Sequence, residues 1–132
     1  GQNVDNNKNL SLKYKELKGL KQQQKKDTTI ISFYDNGAIK SEEVYINGVL
    51  DGESKYFFQN GSIKEIHYNW KKWTLFIKTF YLNGQLKSEG ELKDNFKDGE
   101  WIYYNNDGTI NMKKIYSYSE EYDKHMRRLD GL

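Results

Sequence analysis

Four dipeptides recur along this chain at nearly constant spacing, and that recurrence restricts the fold more than any other feature. They are Asn36-Gly37, Asn60-Gly61, Asn83-Gly84 and Asp107-Gly108, and their glycines are 24, 23 and 24 residues apart. The stretch FYDNGAIKSEEVYINGVLDGE at residues 33–53 returns as FYLNGQLKSEGELKDNFKDGE at residues 80–100. Self-similarity at such a period means stacked copies of one supersecondary unit. Asn-Gly and Asp-Gly tolerate the positive φ angles of a tight hairpin, so each pair predicts a two-residue hairpin tip.

The flanking residues agree with hairpins. Four positions before each glycine stands an aromatic (Phe33, Phe57, Phe80, Tyr104), and two positions after it an aliphatic (Ile39, Ile63, Leu86, Ile110). Such pairs can meet across a strand pair, and stacked hairpins would join them into a continuous stripe. A second punctuation, Asp-Gly-Glu, predicts further turns at Gly52 and Gly99. The second copy departs from this, because NWKKWTLFIK occupies residues 69–78 where a polar turn is expected.

The prediction is an all-β fold over residues 28–117, an elongated, twisted antiparallel sheet of about four stacked β-hairpin repeats with short helical or disordered termini. Residues 1–27 are polar, and Leu10, Tyr14, Leu17 and Leu20 fall at the spacing of a weak helix. Residues 118–132 read as a terminal helix. Ser117 and Glu120 have capping-box spacing, and Lys124, Arg127 and Arg128 lie toward its basic end. That helix would cover the last strand edge.

Composition limits what such a sheet can do. Among 132 residues only 36% are apolar and mean hydropathy is -1.00, too little for a thick two-layer core. Aromatics make up 15%, eleven of them Tyr, so rings with polar edges carry the packing. A net charge of +2 with interspersed signs gives no basic field for nucleic acid. No run is long and apolar enough to span a bilayer. With no Cys there is no disulfide, thiolate nucleophile or Cys-based zinc site. The opening GQNVDNNKNL has neither an initiator Met nor an apolar signal segment. It fits a mature end left by signal-peptide removal, with Gly1 as a cloning scar, and equally a trimmed cytoplasmic chain.

The motif is carried by Tyr34, Asn36, Gly37, Ile39, Lys40, Glu42, Tyr45, Asn47, Gly48, Asp51 and Gly52. It returns at Tyr81, Asn83, Gly84, Leu86, Lys87, Glu89, Asp98 and Gly99. This pattern resembles the variant MORN repeat, and the arrangement is similar to the YwqK-family antitoxins. The resemblance implies a sheet of stacked hairpins and a toxin-neutralising or immunity-type role, with no catalytic or ligand residues to transfer.

No catalytic constellation, metal site or cofactor site is legible. His67 and His125, the two histidines, stand far apart without a motif around either, and both read as ordinary surface or strand residues. Glu42/Glu43 and Glu120/Glu121 are adjacent pairs, and neighbouring strand residues point to opposite faces. Glu42 and Glu89, with Lys40, Lys64 and Lys87, read as a solvated ladder of alternating charge. The expected contact surface is Trp70, Lys71, Lys72, Trp73 and Phe76, because tryptophan is enriched in binding hot spots and this segment breaks the repeat. The reading is therefore a non-enzymatic repeat protein that binds a protein partner, a toxin or an envelope protein. The alternatives are a cell-envelope component acting through self-association or contact with a membrane surface or glycan.

Overall fold

The structure, a computed structural model, describes residues 27–131. The strands are β1 (Asp27–Phe33), β2 (Ile39–Ile46), β3 (Val49–Leu50), β4 (Gly52–Phe57), β5 (Ile63–Lys71), β6 (Thr74–Phe80), β7 (Leu86–Lys93), β8 (Phe96–Tyr104) and β9 (Ile110–Tyr116). One helix, α1, follows at Tyr118–Asp130. All strands join one open antiparallel sheet in chain order, with short β3 pairing onto β2 beside β4. The all-β hairpin stack is as expected. The weak helix read around Leu10–Leu20 lies outside the described residues.

At one end of the sheet lie the four repeat turns, but they are not two-residue hairpins. Gly37 N–H donates to the Tyr34 carbonyl at 2.9 Å and Tyr34 N–H to the Ala38 carbonyl at 2.8 Å, so Phe33 faces Ile39 across five connecting residues. Only the glycine is left-handed, with φ of 87° at Gly37 and 90° at Gly84. Asn36 keeps negative φ, and its Oδ1 accepts the Ala38 N–H at 3.0 Å. Asn60, Asn83 and Asp107 accept the amide two residues on in the same way. The Asn or Asp thus serves as an acceptor, and the turn is a type I turn closed by a glycine bulge.

The two-residue turns sit at the other end. Asn47 and Gly48 (φ 52° and 80°) join β2 to β3, and Asp94 and Asn95 (φ 51° and 67°) join β7 to β8. Gly52 and Gly99, expected as turns, are instead in strands: Gly52 opens β4 and Gly99 lies inside β8, with φ of 90° and 70°. Both stand where the pairing register jumps, which makes them bulge glycines.

The expected aromatic-aliphatic pairs are in register: Phe33 with Ile39, Phe57 with Ile63, Phe80 with Leu86 and Tyr104 with Ile110. Neighbouring turns are tied by tyrosine hydroxyls, from Tyr34 to the Phe57 carbonyl at 2.5 Å and from Tyr81 to the Tyr104 carbonyl at 2.7 Å. Packing is otherwise thin, as the composition requires. On one face Tyr68 and Phe76 pack together and Ile102 is wholly buried. The Trp101 indole lies directly on Gly90, where a Cβ would stand 2.3 Å from the ring. Its Nε1 donates to the Glu91 carbonyl at 3.0 Å.

Three further expectations change. Glu89 is not part of a solvated ladder, because it is buried and accepts the Tyr104 hydroxyl at 2.7 Å. That contact and burial push the Tyr104 phenol well above its ordinary range, burial contributing most. Ser117 makes no side-chain cap on α1. Asp98 Oδ1 instead accepts the Tyr118 N–H at 3.0 Å. Helix α1 lies against Phe96 through Tyr118, Tyr122 and His125 and leaves β9 exposed, so it does not cover the last edge.

Candidate partner-binding groove

The irregular segment forms the β5–β6 turn, with Lys71 paired to Thr74 across Lys72 and Trp73. Trp73 sits at φ 66°, a left-handed conformation costing about 1–3 kcal/mol for a residue with a Cβ. Its carbonyl accepts the Asp94 N–H at 2.6 Å, which locks this turn to the β7–β8 turn. Trp73 is 67% exposed, with Lys72 Nζ 5.5 Å from its ring centre.

Beside this turn lies a groove of about 690 Å³. Asn69, Leu75 and Leu92 stand opposite one another on adjacent strands and form its floor with Leu50. Val49 and Trp73 add exposed apolar surface, and Lys71, Lys72 and Asp94 contribute charge. The arrangement offers a largely apolar trough whose lining also carries Lys71, Lys72, Asp51 and Asp94, charges of both signs, a geometry suited to holding an apolar side chain of a partner.

The five residues expected as a contact surface divide between scaffold and groove. Phe76 is only 5% exposed and packs on Tyr68, so it belongs to the scaffold. Trp70 sits at a register shift in β5 and packs against the same cluster, with Lys71 Nζ 4.9 Å from its ring centre. Lys71, Lys72 and Trp73 line the groove. Sequence reasoning missed Val49, Leu50, Leu75 and Leu92. The one signal for them was Asn47-Gly48, which marks a neighbouring tip at the same end.

Nearby, burial raises the Glu91 carboxyl above its ordinary value, and facing Asp98 adds to the shift while Lys71 and Lys93 oppose it. His67 Nε2 lies 2.7 Å from Glu65 and its ring 4.6 Å from that of Tyr56, within the strands as expected. Among the described residues no cluster of three or more His, Cys, Asp or Glu side chains has metal-binding geometry.

Comparison with known proteins gives one result. Residues 26–47, 50–72 and 77–94 match the MORN repeat variant. Each matched stretch spans the two strands flanking one glycine-bulge turn, and the β8–β9 hairpin repeats the same geometry beyond them. No curated protein and no solved structure matches the chain.

Proposed function

We propose, from the premise that this chain is built of MORN variant repeats, that it is a non-enzymatic binding module whose irregular hairpin holds a protein partner. MORN repeats often mediate protein or membrane interactions. The observation that carries the reading is Trp73: a large ring, two-thirds exposed, held at positive φ over an apolar trough. Strain kept at an exposed aromatic is characteristic of a functional position. Lys72 stands beside the ring and Lys71 over Trp70, Leu50, Leu75 and Leu92 receive the partner, and Trp70 and Phe76 support the hairpin from within.

The resemblance to the YwqK-family antitoxins makes a toxin the first class of partner to assay. Affinity capture from the native organism with wild-type chain and Trp73→Ala, both melting at the same temperature, tests the reading. A protein retained by the wild type and lost with Trp73→Ala supports it. Equal recovery by both removes the groove from the account.

A further inference from the structure

The two ends of the sheet are protected differently. Strand β9 carries Lys113 and Lys114, the kind of side chain that discourages pairing at an open edge. Strand β1 carries a single charge, Asp27 at its first residue. From Thr28 to Phe33 it reads TTIISF, uncharged and without Pro, Ile30 and Ile31 are 51% and 45% exposed, and no described strand pairs with its outer side.

We infer that β1 is a homodimer edge, pairing antiparallel with β1 of a second copy about a twofold axis through Ile30. This lies apart from the groove and goes beyond the partner-binding reading. A twofold axis that extends a sheet is perpendicular to it and keeps each face on its own side, so only residues of one face can stand opposite each other. Thr28, Ile30 and Ser32 share one face, and Thr29 and Ile31 the other. Centred on Ile30, Ile30 meets its own copy, Thr28 meets Ser32 of the copy, and Thr29 meets Ile31. Every one of these is a hydroxyl or β-branched pairing of the kind that stabilises sheets.

Pairing β1 with β9 of a second copy would instead place Lys113 and Lys114 at the seam and generate an open chain of molecules. The preceding sequence favours the antiparallel arrangement as well. Residues 1–26 carry seven lysines against Asp5 and Glu16. They join β1 at Asp27, so an antiparallel dimer puts the two points of attachment at opposite ends of the seam. Parallel pairing would set them side by side, and like charges would repel.

Sedimentation equilibrium of the full chain over a concentration series tests this. The expected mass rises from 15.7 kDa to twice that value. Ile30→Lys, which places two cations face to face at the axis, should remain monomeric at concentrations where the wild type is dimeric. Ile115→Lys on β9 should dimerise like wild type. The chain has no Cys, so mild oxidation of Ile30→Cys should give a disulfide-linked dimer and that of Ile115→Cys should not. A chain monomeric throughout, a dimer that survives Ile30→Lys, or equal cross-linking of the two cysteine variants would overturn the assignment.

Discussion

One hydroxyl is missing from the repeat, and restoring it should stabilise the fold. Tyr34 and Tyr81 each donate to a carbonyl 23 residues on, at 2.5 and 2.7 Å, tying one glycine-bulge turn to the next. The position between them is Phe58, which can donate nothing. Its ring is held as the tyrosines are: Lys64 Nζ stands 6.0 Å from Phe58, as Lys40 stands 5.8 Å from Tyr34 and Lys87 5.6 Å from Tyr81. Phe58→Tyr therefore aims a hydroxyl at the Phe80 carbonyl without moving the ring. A hydrogen bond made on folding contributes about 0.5–1.5 kcal/mol net. For a domain of this size that is a rise in melting temperature of about 2–8 °C. Urea and thermal unfolding of wild type, Phe58→Tyr and Tyr81→Phe would check it, the last falling by a similar amount. If Tyr81→Phe destabilises while Phe58→Tyr is neutral or worse, the turns are not equivalent and the argument fails.

Other expectations follow from single contacts. Trp73→Gly removes a positive-φ penalty of about 1–3 kcal/mol at a largely exposed ring, so calorimetry should find stability unchanged or raised while partner capture is lost. Because the Glu91 carboxyl is raised in the folded chain, ionising it opposes folding. Glu91→Gln should thus stabilise the chain at neutral pH in urea melts, and the gain should fade as pH falls through the carboxylate range. Asp98→Ala deprives α1 of its N-terminal acceptor, costing about 0.5–2 kcal/mol of helix stability; circular dichroism at rising temperature should show the helical signal lost before the sheet signal.

The hairpin stack was legible because its punctuation is local: a glycine at positive φ beside an Asn or Asp marks a reversal wherever it recurs. The kind of reversal was not legible. Asn36 could have supplied positive φ or a side-chain acceptor, and only the backbone shows that it supplies the acceptor. Gly52 and Gly99 misled for a related reason, since a bulge inside a strand asks for the same residue as a turn. Longer-range arrangements left no local trace. Asp98 caps a helix twenty residues away, and Phe76 is buried by Tyr68 on the neighbouring strand. The departure from the repeat at residues 69–78 fell on a hairpin that lines the groove. The groove itself draws Leu50, Leu75 and Leu92 from three separate strands, so its floor became visible only with the register.

Burying the Trp73 ring against a partner should make it a hot spot worth about 2 kcal/mol or more, roughly a thirtyfold change in affinity. The most direct measurement is amide hydrogen exchange of the full chain with and without the captured partner. The account predicts new protection at Val49–Leu50, from Lys71 to Leu75 and from Leu92 to Asn95, where the three turns meet. Protection confined to the opposite row of turns around Gly37, Gly61, Gly84 and Gly108, with the Trp73 hairpin unchanged, would contradict it.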